Sequence, residues 1–138
     1  MRVMVFVKAS KESEAGVMPS QKMLAEMAAF NEELVKAGVL QDGGGLHPSR
    51  KAKRINYAGG KPAVVDGPFA ETKELVAGFW VFKVKSVDEA VEWLKRAPFD
   101  TAQVEIRPFF EPEDFGAELT PELRTKNERI FKESEKNK

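Results

Sequence analysis

Val76-Ala77-Gly78-Phe79-Trp80-Val81-Phe82-Lys83-Val84 is apolar at nearly every position. A strand sends successive side chains to opposite faces. Val76, Gly78, Trp80, Phe82 and Val84 therefore share one face, and Ala77, Phe79 and Val81 share the other. Both sets are apolar, so both faces of this strand need cover. Val3-Met4-Val5-Phe6-Val7 has the same two-sided character and reads as a second central strand. Whatever fold holds these strands must bury a sheet from both sides.

The neighbouring segments supply one of the two covers. Ser86-Val87-Asp88-Glu89 has the form of a capping box, in which serine and glutamate satisfy orphan amides reciprocally. Val87, Ala90, Val91 and Leu94 follow as a helical stripe that Pro98 ends. Upstream, Met23, Met27, Phe30 and Leu34 form a second stripe at spacings of four, three and four. Pro19 suits the first turn of that helix, and Gly38 suits a left-handed cap at its end. Lys11 to Gly16 is polar and small and reads as a loop. Val104-Glu105-Ile106-Arg107 alternates and reads as the last strand.

The middle of the chain is rich in glycine. Val39-Leu40 begins an extended segment that Gly43-Gly44-Gly45 interrupts. Three glycines weaken a regular strand, so a bulge or a closely approached backbone is expected there. Arg54-Ile55-Asn56-Tyr57 and Pro62-Ala63-Val64-Val65 flank Ala58-Gly59-Gly60-Lys61, the pattern of a hairpin with a glycine turn. The C-terminal extension, residues 116–138, starts a helix at Thr120-Pro121-Glu122 but carries few apolar residues. A short helix with a frayed tail is expected.

The order is strand, helix, short strands, strand, helix, strand. It predicts an α+β fold of the ferredoxin-like type, βαββαβ with an inserted hairpin. Two helices cover one sheet face, and a second copy of the chain is the simplest cover for the other. Composition narrows the function classes. The 138 residues suit one domain over residues 1–115 plus the extension. There are 22 Lys and Arg against 22 Asp and Glu, so a broad phosphate-binding surface and hence a nucleic-acid partner are not expected. Cysteine is absent and His47 is the one histidine, which excludes thiolate chemistry and multi-histidine metal sites. No metal and no cofactor is expected. No run approaches the roughly 18 apolar residues of a membrane span, so a cytoplasmic protein is expected.

The most specific string is Val65-Asp66-Gly67-Pro68-Phe69-Ala70-Glu71-Thr72-Lys73-Glu74. It resembles the signature of the DGPF-domain proteins within the YCII-related family. The resemblance extends to Gly78-Phe79-Trp80, Asp88-Glu89-Ala90 and Val104-Glu105-Ile106-Arg107-Pro108, roughly residues 1 to 115. It implies a dimeric α+β barrel in which two sheets pack face to face. It also implies a largely uncharacterised function, with some members encoded beside extracytoplasmic-function sigma factors. A histidine and an aspartate facing a pocket have suggested enzymatic activity in the wider family. His47 and Asp66 are the available equivalents in this chain.

Each candidate has a plainer reading beside it. Asp66, Gly67 and Pro68 are turn formers and Phe69 could plug the core beneath them; alternatively the turn sets Asp66, Lys73 and nearby amides at the rim of a cleft. His47 is either a surface loop residue or the general acid or base that its near-neutral pKa allows. Pro48 restricts its backbone to extended conformations. Arg107 faces the dimer side, near Trp80 or Phe79, and either pairs with Glu105 or Asp66 or binds a substrate anion. Arg50, Lys51, Lys53 and Arg54 read as a solvated hairpin edge. Two functions compete. One is a cofactor-independent small-molecule enzyme acting on a carbonyl-containing or lactone-like substrate. His47 or Asp66 would move a proton, Arg107 would hold an anion, and Phe79, Trp80 and Phe109 would form apolar walls. The other is a non-catalytic ligand-binding or regulatory dimer, linked to a sigma factor through the resemblance alone.

Overall fold

The computed structural model describes residues 1–138. Strands β1 (Arg2–Lys8), β2 (Leu40–Gly45), β5 (Val76–Lys83) and β6 (Val104–Pro108) form one four-stranded sheet in the order β2-β5-β1-β6. All its pairings are antiparallel. Strands β3 (Lys53–Ala58) and β4 (Lys61–Asp66) pair only with each other. Helices α2 (Gln21–Lys36) and α3 (Val87–Leu94) complete the ferredoxin-like plan, and the inserted hairpin is β3-β4. Gly59 and Gly60, at φ of 60° and 78°, turn that hairpin in the left-handed region that glycine occupies without penalty.

Register sorts the side chains of the sheet. Val3 lies opposite Phe82, and Val5 lies opposite Trp80 on one side and Ile106 on the other. These join Phe30, Leu34, Val39, Val84 and Ala90 in one buried core between sheet and helices. Trp80 anchors it, edge-on to Phe30 at 5.9 Å between ring centroids. Met4, Phe6 and Phe79 alternate with that set and remain partly exposed, while Val81 beside them is buried. Helices therefore cover one face, and apolar side chains remain on the other, as the alternation of β1 and β5 requires.

Several local expectations are corrected. Lys11 to Gly16 contains a short helix, α1 (Lys11–Glu14), because Ser10 and Ser13 cap each other's amides reciprocally. Pro19 precedes the first turn of α2; Ser20 is the N-cap, its hydroxyl accepting from the Met23 N–H at 3.1 Å. Gly38 does close α2 in a left-handed conformation, φ 74°. The glycine run does not interrupt β2, which continues through Gly45 with its register shift between Leu40 and Asp42, but the expected close approach is present at Gly43, against Trp80 and the Phe79 carbonyl. Ser86 caps α3 by accepting from the Glu89 N–H, but the Glu89 carboxylate takes the Lys85 amide rather than that of Ser86.

The chain forms two compact units, Met1–Pro108 and Phe109–Lys138. The second unit holds helical turns over Pro112–Glu118 and then α4 (Pro121–Ser134), capped by Thr120. The expected short helix is 14 residues long, with helical turns continuing through Asn137. Ion pairs of Arg124 with Glu113 and Glu128, and the Phe110–Phe115 ring contact at 5.0 Å, lie within this unit. No helix of the chain is long and apolar enough to cross a membrane.

Candidate functional site

One buried hydroxyl ties three distant segments together. Ser49 is 6% exposed, in the helical turn Ser49–Lys51 that follows Pro48. Its hydroxyl donates to the Glu14 carboxylate, and its N–H donates to the same carboxylate at 2.9 Å. In return the Ser49 oxygen accepts the Phe69 N–H at 3.0 Å. Helix α1, the turn after His47 and the Asp66-Gly67-Pro68-Phe69 turn therefore meet at one side chain. These hydrogen bonds hold the Glu14 carboxyl below the usual carboxylate range, the Ser49 hydroxyl first and its amide second, with the Arg50 guanidinium adding attraction.

The second half of the anchor is backbone. The Gly67 N–H donates to the Ala52 carbonyl at 2.9 Å. A Cβ on Gly67 would stand 1.7 Å from the Ser49 carbonyl oxygen, so no other residue fits there without moving the turn. The Gly67–Pro68 peptide is cis. The Arg54 guanidinium lies over the Phe69 ring, 3.8 Å from the centroid.

These contacts frame a cleft of about 450 Å³ between the hairpin and the edge of the large sheet. Its polar wall carries Glu14, His47, Lys51, Lys53 and Arg54; Leu46, Phe69, Leu75 and Val76 supply apolar surface. Four of these polar residues can donate hydrogen bonds to an anion, and the one carboxylate is already engaged by Ser49. A small molecule with a negative group and an apolar body matches this wall.

Each residue singled out in the sequence now has a position. His47 lines the cleft and is solvent-exposed. Asp66 is absent from the lining; its carboxylate binds Lys53 at 2.5 Å across the hairpin, and Lys53 does line the cleft. Gly67 and Pro68 shape the turn, and Phe69 reaches the cleft wall. Lys73 is exposed in the turn Thr72–Glu74, outside the cleft. Trp80 does not share a face with Arg107: it lies on the helix-covered side, its indole N–H donating to Asn31 Oδ1 at 2.9 Å. Arg107 is exposed opposite Met4 on the other side, and neither Glu105 nor Asp66 pairs with it. Phe79 lines a separate cavity with Trp80, and Phe109 falls in the second unit. Sequence reasoning missed Glu14, Ser49 and Arg54. Only Arg54 left a trace, as part of the basic hairpin edge.

Fold and site together define a ferredoxin-like α+β protein with a cleft lined by His47, Lys51, Lys53 and Arg54 beside an inserted hairpin. The family model of the YCII-related domain matches residues 1–112, and the chain belongs to that family. An uncharacterised protein of Rhizobium meliloti (strain 1021) is 34% identical over 91 residues, covering 64% of this chain and 73% of its own. Among solved structures, the chain is similar to 5-chloro-2-hydroxyhydroquinone dehydrochlorinase from Burkholderia phenoliruptrix AC1100, in complex with 2,5-dihydroxybenzoquinone. That match has a TM-score of 0.40 and 20% identity, covering 80% of this chain and 96% of the other.

Proposed function

We propose that this protein is a cofactor-independent small-molecule enzyme, that its hairpin cleft takes a carbonyl compound bearing an anionic group, and that His47 moves a proton within it. The single observation that carries the reading is the convergence of His47, Lys51, Lys53, Arg54 and Phe69 on one cleft. The Arg54 guanidinium, fixed over Phe69, holds the anion in place of Arg107. Phe69 and Leu75 exclude water from the substrate body. His47 takes a proton from the carbon next to the carbonyl and returns it to the oxygen, so the keto form becomes the enol with no net gain or loss of electrons. Asp66 acts by orienting Lys53, through their ion pair.

A ligand-binding role without turnover is the second reading. It is favoured by the engagement of Glu14 with Ser49, which leaves no free carboxylate in the cleft lining to pair with His47. In either case we propose a homodimer, formed through the sheet face that carries Met4, Phe6 and Phe79. Light scattering at micromolar concentration is expected to give twice the chain mass; the mass of one chain overturns the dimer.

Phenylpyruvate is a suitable probe, and its methyl ester removes the charge alone. Phenylpyruvate is expected to raise the melting temperature, because a ligand of the folded state stabilises it by mass action. The ester is expected to raise it less, and Arg54→Met is expected to remove the difference. Equal shifts with acid and ester, or an Arg54→Met protein that still discriminates them, overturn the anion site.

A further inference from the structure

A second cavity, of about 580 Å³, lies between α2, β2 and β5 on the helix-covered side of the sheet. Its walls are mostly apolar: Met27, Val35, Trp80 and Phe99 contribute. Along β2, Gly43-Gly44-Gly45 lines it with backbone alone. The three glycines differ in what requires them. A Cβ on Gly43 would meet Trp80 Cδ1 at 3.0 Å and the Phe79 carbonyl oxygen at 3.2 Å, so close packing accounts for Gly43. Gly45 lies opposite Gly78 in the next strand, a glycine that close packing does require. At Gly45 a Cβ would meet nothing within 4 Å, and its backbone is not in the left-handed region. Glycine weakens a strand interior, and at Gly45 neither packing nor backbone offsets that loss. What Gly45 preserves is open space in the cavity.

The cavity lining also holds a polar side chain, Asn31. An indole N–H can only donate, so the Asn31 atom that Trp80 Nε1 faces is the carbonyl oxygen, and the Asn31 NH2 remains to donate. No side chain of the chain accepts from it. Asp42 is the one ionisable side chain of the lining, and no cation is present to hold a carboxylate. We propose that this cavity is a binding site for an uncharged, planar aromatic carbonyl compound. Its ring lies against Trp80 and Phe99, its edge uses the space beside Gly45, and its carbonyl oxygen accepts from the Asn31 NH2. The site is independent of the hairpin cleft, shares no lining residue with it, and stands or falls apart from the reading of that cleft.

The test is a titration with acetophenone, followed by ¹⁵N NMR of the side-chain N–H groups. The chain has 2 tryptophans, so the Trp80 indole resonance is assignable against that of Trp93. Acetophenone is expected to move the Trp80 indole and Asn31 carboxamide resonances and to leave Trp93 in place; benzoate is expected to bind at least about tenfold more weakly. Two variants probe the two features separately. Gly45→Val fills the space, and Asn31→Asp keeps the acceptor for Trp80 while removing the donor. Each is expected to weaken acetophenone by about tenfold or more. If either variant fails to fold, the wild-type titration still decides. Resonances of Trp80 and Asn31 that stay unmoved up to the solubility limit of acetophenone overturn the site, as does benzoate binding equally well. Folded variants that bind acetophenone as the wild type does overturn it too.

Discussion

The two cavities of the sheet domain are built on opposite principles. The hairpin cleft is bounded by segments that lie far apart in sequence and are held by a few polar contacts, with Ser49 at the centre. The helix-side cavity is bounded by regular elements, and its shape comes from what is missing along β2. The difference is that a glycine means opposite things in the two places. At Gly67 it is compulsory, because the Ser49 backbone occupies the space of a side chain. At Gly45 it is optional for the fold. The first cleft should therefore fail when its anchors are altered, and the second should tolerate change without loss of stability.

The largest expected effect breaks the hairpin cleft at its backbone. Gly67→Ala forces a displacement of the turn against main-chain atoms and is expected to cost about 3 kcal/mol or more. Urea denaturation measures it; a loss below about 1 kcal/mol would mean the turn relaxes freely. Next is Ser49→Ala, which leaves the Phe69 amide without its acceptor and removes a donor from Glu14. A loss of about 1–3 kcal/mol is expected, with reduced protection of the Phe69 amide in hydrogen exchange.

Acid sharpens the same contrast. Because the folded-state pKa of Glu14 is lowered, its contribution to stability is present above the ordinary carboxylate range and is lost as pH falls through the folded value. The stability difference between wild type and Glu14→Gln is expected to be largest near neutral pH and to shrink in acid, measured by denaturation across that range. A difference that grows in acid would contradict the role given to Glu14. The smallest effect belongs to the helix-side cavity: Gly45→Ala is expected to change stability by less than about 1 kcal/mol, and toward greater stability, since alanine restricts the unfolded chain. A loss well beyond that would show that Gly45 is structural after all.

The large sheet was legible because its pattern is local. Alternation along Val3–Val7 and Val76–Val84 reports faces directly, and the stripe from Met23 to Leu34 reports the covering helix. The hairpin turn at Gly59-Gly60 was legible for the same reason. Glu14 was not, because its partner Ser49 lies 35 residues away and no periodicity records a contact at that distance. Its short helix was also hidden, since Ser10 and Ser13 cap it without any apolar stripe. Arg107 was read as lying near either Trp80 or Phe79; the register puts Phe79, not Trp80, on the side of Arg107. The aspartate of the Asp66-Gly67-Pro68-Phe69 string was read as a turn former or as a residue at the rim of a cleft; it binds Lys53, because β3 and β4 bring Lys53 directly opposite.

The central claim is that His47 moves a proton in the hairpin cleft, and hydrogen–deuterium exchange tests it directly. Phenylpyruvate is incubated with the protein in D2O, and loss of its C3 proton signal is followed by NMR. Wild type is expected to exchange the proton faster than buffer alone. His47→Gln is expected to bind phenylpyruvate and exchange it at the buffer rate. Equal exchange by wild type and His47→Gln, with both proteins folded and saturated, would contradict the account.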